Sequence, residues 1–464
     1  MSMINNALSG TLAAQAALTV ASQNVANLMT PGYTRQGILL TSAQPSRSGP
    51  FAAGDGVNIP SLFRFSDDYK NLQMWNAASN LGQHATTQPY LTQLEQVMGD
   101  DSASINSGLD AFFSALNAAS VEPTSSPLRQ QVISSAEALA QRFNSLNQVL
   151  SGQRASVAQQ RSTTVAQVNA LATDIAKLNE KIASASATGA SPSGLMDERD
   201  NKIDALAALV GVQVVNQPDG SRSVSLRGGQ PLVAGSMAAT LEVKPLTGGG
   251  QSLVVQFATQ SFGVTGTDLG GQLGGLASYE DKVLVPLAQS VTDMAGEISK
   301  KFNDTLTAGY SMGSTAATPE SGKPLFVFNA SSTSGMLQVT AGLTPQDLGF
   351  SADPALQGDS ANLLQLIDLK NQPIAVGTLG SVLMGDAYTQ LVSKLGTDSQ
   401  QNHSALSVTE TVRNYAVANW KNTSGVNSDE EAINLVQFQQ MYQANMKVIA
   451  VANQLFDSTL AMMN

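Results

Sequence analysis

Residues able to perform chemistry are sparse in this chain, and their spacing does not gather them into a site. There is no cysteine, so thiolate nucleophiles, sulfur ligation and disulfides are unavailable, and only His84 and His403 supply imidazole. The two histidines fall in no HExxH or other metal-ligand spacing, and each is expected on a solvated helix surface. Asp197, Glu198 and Asp200 are grouped as acid/base carboxylates would be, but with Arg199 and Lys202 beside them they read as a charged helix face. The glycine-rich stretch 266–275 lacks the Lys-Ser/Thr end of a phosphate loop and follows no clear buried strand. It reads instead as a hinge between β and helical domains. No nucleophile–base pair emerges, no cofactor or metal is implied, and the chain is expected not to be an enzyme.

What composition does point to is contact with other protein. At 464 residues the chain is long enough for two to four domains, and a net charge of -11 argues against nucleic acid or an anionic membrane surface as partner. Charged residues make up 13% of it, about half the usual share of roughly 25%. Such a chain needs other protein, or many Ser, Thr, Asn and Gln side chains, to cover it. The first segment lacks the basic start of a secretory signal, and polar residues such as Asn5, Asn6, Ser9 and Gln15 interrupt its apolar run. Export without a cleaved signal is therefore the expectation if the protein leaves the cell, and the same interruptions argue against a membrane span.

The elements that organise the chain are its two ends. Ser428 and Glu431 stand at capping-box spacing, with Asp429 and Glu430 placing negative charge where a helix start favours it. From there Leu435, Gln439, Tyr442, Met446, Ile449, Asn453, Phe456, Leu460 and Met463 follow one another at alternating steps of four and three, the seam of a coiled coil. After Glu431 the only charges are Lys447 and Asp457. Ile4, Leu8, Thr11, Gln15, Leu18, Ser22, Val25 and Met29 repeat this alternation at the N-terminus, where no charged side chain precedes Arg35. Two readings remain open: an antiparallel pair closing a monomer, or ends that become ordered when other copies pack around them. Burying an apolar side chain contributes roughly 1.5–3 kcal/mol, while ordering one residue's backbone costs roughly 1–2 kcal/mol. With about one strong apolar residue per turn or fewer, a lone pair is marginal.

Between the ends the pattern changes several times. Thr30-Pro31-Gly32-Tyr33 is a turn that stops the first helix, because Pro31 biases Thr30 away from helix and Gly32 accepts a positive φ. Residues 38–41 and 57–65 read as an extended ribbon, 68–116 as helical, and Ser126-Pro127 as the cap and first residue of a much longer helix. A hairpin is expected to pair 212–215 with 224–226 around Pro218-Asp219-Gly220, and 241–243 and 253–257 continue as strands. Helical pattern returns with Leu276 to Phe302, short strands stand at 325–328 and 337–339, and helices follow at 362–369 and 387–419. The expected fold is α+β, mainly α: an elongated multi-domain chain with paired terminal coiled-coil helices, a long-helix rod and an inserted small β domain. The expected domains are a terminal helical core at 1–42 and 427–464, a rod-like helical domain at 43–190, 275–308 and 358–426, and a β-rich outer domain at 191–274 and 309–357.

The two ends resemble known sequences. NVANLMTPGYTRQ, from Asn24 to Gln36, and SGVNSDEEAINL followed by YQANMKVIAVANQLF, between Ser424 and Phe456, are similar to the signature ends of flagellar axial proteins, the rod, hook and hook-associated subunits. The GYTRQ turn, the long helix after Pro127, and LMDERD from Leu195 to Asp200 leading to Gly211-Val212-Gln213-Val214 resemble the hook-associated protein 1 (FlgK) family in particular. The likeness covers most of the chain and departs from larger members at about 309–359, where only a short segment stands. It implies a structural, self-assembling junction layer between hook and filament, in contact with hook protein and with a second hook-associated protein. It also implies extracellular placement in the flagellum after type III export without a cleaved signal, and an export chaperone on the C-terminal helix. The assembly residues it implies are the two seams named above, the turn Thr30, Pro31, Gly32, Tyr33, Arg35 and Gln36, and the cap Ser428 and Glu431. Another axial role, as hook or distal rod subunit, and a secreted adhesin or effector built on the β insertion are the alternatives.

Overall fold

Three- and four-residue spacing of apolar side chains makes most of this chain helical, and where it lapses the strands are short and fall into small separate antiparallel sheets. A computed structural model of the chain describes residues 2–44, 54–190, 192–246, 250–266 and 269–463. Its helices are α1 (Ser2–Ala26), α2 (Asp68–Gly99), α3 (Ile105–Val121), α4 (Ser126–Ala187), α5 (Ser193–Leu209), α6 (Gly271–Tyr279), α7 (Val285–Ala308), α8 (Ala361–Asp368), α9 (Ala387–Ser424) and α10 (Ser428–Met463). Pro127 lies one residue inside α4 rather than at its first position. The described chain divides into two compact units: one made of 1–82, 164–271 and 408–464, the other of 83–163 and 272–407.

In the first unit, β1 (Gln36–Ser42) and β2 (Val57–Arg64) form the expected ribbon. A four-stranded sheet then follows chain order through β3 (Val212–Asn216), β4 (Arg222–Leu226), β5 (Pro231–Ala234) and β6 (Met237–Ala238). A three-stranded sheet holds β7 (Thr240–Pro245), β8 (Gln251–Phe257) and β9 (Gln260–Val264). The β3–β4 hairpin has the expected register, with Val214 opposite Val224, and closes where the Gly220 N–H donates to Gln217 O at 3.0 Å.

The second unit has one continuous apolar core, drawn from α2, α3, α4, α6, α7, α8, α9 and the strand pairs β10 (Phe326–Phe328) with β11 (Leu337–Val339) and β12 (Pro373–Val376) with β13 (Gly380–Leu383). At its centre Phe302 lies 5.0 Å from Phe112 and 5.8 Å from Phe113, ring centre to ring centre, distances at which tilted aromatic pairs attract. Between α6 and α7 the helix widens to a π-turn at Glu280–Leu284, and the buried Glu280 carboxylate is held there by Arg161. Arg129 is buried without a carboxylate partner among the described residues. Its guanidinium donates to Pro345 O at 3.0 Å and Leu348 O at 2.8 Å and lies 4.4 Å over the Phe350 ring, and burial lowers its pKa to about 10.

The 191–274 and 309–357 segments, grouped above as one outer β-rich domain, belong to different units. The reason is local. Strands β4 and β7 dock on the later half of α4, while β11 docks on its earlier half and β10 on α7. In each case a helix asparagine makes the link, its amide group donating to the strand residue's carbonyl while its oxygen accepts from the same residue's N–H. Asn179 brackets Arg222 in this way at 2.8 and 3.1 Å, Asn169 brackets Leu241 at 2.9 and 2.8 Å, Asn144 brackets Leu337 at 2.8 and 3.1 Å, and Asn303 brackets Phe326 at 2.7 and 2.9 Å. Each clamp satisfies two backbone groups that the strand's own sheet leaves unpaired.

Asn144→Ala is therefore expected to orphan both Leu337 groups and to cost roughly 1–3 kcal/mol for each one left dry. Denaturant unfolding followed by circular dichroism measures this. Asn147→Ala, which removes only contacts to the exposed loop carbonyls of Ser332 and Thr333, is expected to stay within about 0.5 kcal/mol of the parent.

Candidate assembly site

Helices α1 and α10 pack against each other, as the matching end patterns lead one to expect, but through a different face. The side chains buried along α1 are Ala7, Thr11, Ala13, Ala14, Ala17, Ala21 and Asn24, a stripe of small residues widened by one at Ala13. The expected N-terminal seam points elsewhere: Ile4 and Leu18 are half-buried, while Leu8, Val25 and Met29 are exposed, Met29 lying beyond the helix end. On α10, Leu435, Tyr442 and Ile449 are half-buried, Met446, Phe456 and Leu460 are exposed, and the side chain of Met463 lies outside the described residues. Size explains the choice. Alanine lets two backbones approach closely, and at Gly10 even a Cβ would stand 2.6 Å from the Asn445 side chain. Bulky Leu and Met are left on the outside.

The base of this pair is built by the turn. The Tyr33 N–H donates to Thr30 O at 3.2 Å and Gly32 has φ of +74°, so Pro31 and Gly32 form the expected turn. A side chain on Gly32 would also collide with Asn201, whose amide donates to Pro31 O at 3.3 Å. Asn24, 1% exposed, clamps Gln36 as the other asparagines clamp their strands, donating to its carbonyl at 2.9 Å and accepting its N–H at 3.1 Å. The Tyr33 hydroxyl donates to the same Asn24 oxygen at 3.0 Å. Arg35 donates its backbone N–H to Ser424 O at 2.7 Å, pairs with Glu430 and lies 4.1 Å over the Phe65 ring. A cleft of about 410 Å³ opens above this base, lined by Val20, Ile38, Phe63, Phe65, Ile433 and Phe438 among others.

The helix cap differs from expectation. Asn427 accepts the Asp429 N–H on its Oδ1 at 3.0 Å, so Ser428 is the first helical residue rather than the cap. Asparagine one residue earlier reaches the second N–H without strain. Glu431 is buried, where its charge acts on Tyr33.

Asp197 and Asp200 also depart from the expected solvated face: both are 6% exposed, and Arg199 between them is 2% exposed. Asp197 accepts the Thr34 N–H at 3.1 Å and the Arg64 Nε at 2.7 Å, and Asp200 accepts from Arg64 at 2.9 Å and from Arg222 at 2.6 Å. Arg222 continues to Asp68 at 2.6 Å. The LMDERD stretch on α5 is thus the anchor of the terminal turn. Its partners Arg64 and Arg222 lie far away in sequence, which is why local spacing reads it as solvated. Burial pushes the Asp197 carboxyl above the ordinary carboxylate range, with Arg64 and Thr34 opposing it; burial acts against the Arg64 charge too, but Asp200 and Asp197 outweigh it and keep Arg64 firmly protonated. Arg413 ties α9 to α5 by a two-pronged bond to Asp204 at 2.9 and 2.6 Å.

His84 is half-buried rather than solvated, its Nδ1 lying 2.8 Å from Asn402 Oδ1, while His403 is exposed as expected. Among the described residues no three His, Cys, Asp or Glu side chains converge as a metal site, and no helix is long and apolar enough to cross a membrane.

This arrangement, a paired-helix end with a buried turn anchor, defines a subunit built around its two termini, and comparison with known proteins identifies its class. Residues 422–462 match the C-terminal domain of the flagellar basal body rod FlgEFG protein, and residues 91–326 match the helical domain of the flagellar hook-associated protein FlgK. The chain belongs to the FlgK family of flagellar hook-associated proteins. Flagellar hook-associated protein 1 of Salmonella typhimurium is 26% identical over 99% of this chain and 99% of its own. The Bacillus subtilis protein of that name is 28% identical over 97% of this chain and 95% of its own. In fold, the chain is like the flagellar hook junction protein FlgK from Burkholderia pseudomallei, with a TM-score of 0.66, 17% identity, and coverage of 75% of this chain and 99% of that one.

Two substitutions test the base. Arg64→Met strips Asp197 and Asp200 of a shared partner and is expected to cost about 3–5 kcal/mol, read as a lower denaturant midpoint. Tyr33 has its pKa pushed up to about 12, first by burial and then by Asp197 and Glu431. Its folded value exceeds the unfolded one, so its contribution is intact below about pH 10 and lost as pH rises toward 12. Between pH 9 and 12 the parent is therefore expected to lose more stability than Tyr33→Phe does.

Proposed function

We propose that this chain forms the junction layer between hook and filament of the bacterial flagellum, as a structural subunit that packs copies of itself through its terminal helices. One observation carries the reading: α1 turns its small-residue face inward, and the pair leaves Leu8, Leu12, Met446, Phe456 and Leu460 exposed on helices almost without charge. Large apolar side chains left exposed in this number on two neighbouring helices fit a protein contact. A negatively charged chain meets its copies with least repulsion where the charge is absent.

The role is mechanical, an adapter between two lattices. In this reading residues 1–42 and 427–464 form the inner tube, the long helices form the body outside it, and the β segments lie further out. Hook protein borders the layer on one side and a second hook-associated protein on the other. Type III export without a cleaved signal brings the subunit there, and an export chaperone covers Leu435 to Leu460 until assembly, which blocks early polymerisation. The Salmonella relative aligns over 554 positions against 464 residues here, so it carries segments that this chain lacks. An outer role that depends on those segments is not carried over. The match of 422–462 to a rod-type domain supports a second reading, a hook or distal rod subunit.

Deleting the gene in its source bacterium separates these. Bare hooks with unpolymerised flagellin in the medium are expected; cells without hooks would move the protein to the rod or hook class, and normal filaments would end the flagellar reading. Restoring the gene as a Met446→Asp/Phe456→Asp double variant is expected to leave hooks bare while the secreted variant keeps its folded body by circular dichroism, since a charge in a dry seam is costly.

A further inference from the structure

The neutrality of α10 is broken by two residues of opposite sign. Past Glu431 the only charged side chains are Lys447 and Asp457, both exposed, and neither is held in an ion pair among the described residues. They stand among exposed Met446, Val448, Leu455 and Phe456, on the surface that the proposed assembly covers. Ten residues separate them, which is about 15 Å along the helix and about 80° around it. Within one copy that gap is too long for an ion pair.

Covering this apolar surface removes water from an ammonium and a carboxylate, which is costly unless each finds an opposite charge. No charged side chain on α1 can supply one. In the first turn of α10, Glu430 is taken by Arg35 and Glu431 is buried, which leaves Asp429 as the competing partner for Lys447. That pairing would leave Asp457 without a counter-charge. Copies related by one repeated rotation and shift place their α10 helices in parallel, so whatever Lys447 meets in one neighbour recurs at every neighbour.

We propose that Lys447 of one copy pairs with Asp457 of the adjacent copy, and that this pair sets the stagger between neighbouring α10 helices at ten residues, about 15 Å. The inference rests on the self-assembly reading above and adds its register. Apolar side chains drive the contact with little regard to axial position, and a single charge pair in an otherwise neutral seam selects one offset, because every other offset strands at least one charge.

The test is charge reversal at the chromosomal locus: Lys447→Asp, Asp457→Lys, and the two together. Filament-bearing hooks are counted by electron microscopy, secreted subunit is measured in the medium, and helicity is checked by circular dichroism. Each single reversal is expected to lower filament-bearing hooks by about tenfold or more with export and helicity intact, and the double reversal to restore them to within about twofold of the parent. Normal filaments in Asp457→Lys, or a double variant as defective as the singles, would overturn the pairing, the second result assigning the charges to a foreign subunit. Intact filaments in the deletion strain would instead overturn the junction reading itself, so the two failures are distinguishable.

Discussion

The asparagine clamp is the interaction on which this structure depends most. A chain with few charges and with strands of two to eight residues cannot close its sheets on themselves, so backbone groups at strand edges need partners from outside. Helix carboxamides supply them at Gln36, Arg222, Leu241, Phe326 and Leu337. Asparagine suits this because it donates and accepts from one short planar group, whereas an aspartate or lysine gives only half the pair. The same choice removes charge from the surfaces where helix meets strand. Low charge is then part of how the chain folds as well as how it meets other copies.

At the terminal end the clamp and the ion network act in series. Asn24 fixes Gln36 and the Tyr33 hydroxyl, which places the Thr34 N–H on Asp197 and so joins the turn to α5. Arg64 closes the loop from the ribbon, reaching Asp197, Asp200 and the Thr34 hydroxyl at once. This rigid base carries a helix pair held together by alanines. Small residues bring the two backbones close but bury little apolar area, so the pair's larger side chains stay available outside it. Stability is concentrated at the base, and adhesive surface is concentrated above it.

Much of this was legible in the sequence, and the parts that were not share a cause. Helix α10, the Pro31-Gly32 turn, the ribbon and the β3–β4 hairpin follow from local periodicity and turn chemistry, which need only neighbours in the chain. Periodicity also reveals a seam on α1, yet Leu8 and Val25 lie outside the helix contact and Ala14, Ala17 and Ala21 inside it. Apolar strength marks what will be buried eventually and does not say by which partner. Local sequence shows Asp197 and Asp200 only as a charged helix face, because Arg64 and Arg222 are separated from them by sequence that only the fold brings near. The cap moved by one residue because asparagine and serine adjoin and both are good caps. Asn169 and Asn179 gave no local signal at all, since a clamp is defined by the strand it meets.

Electron cryomicroscopy of the intact hook-to-filament region tests the central claim most directly, that the large apolar faces of α1 and α10 are made for other copies. The account predicts a layer in which Leu8, Leu12, Met446 and Phe456 are buried between neighbouring subunits while Ala14, Ala17 and Ala21 stay against the same chain's own α10. A layer in which those large side chains face open solvent, or in which the alanine stripe meets a different copy, would contradict it.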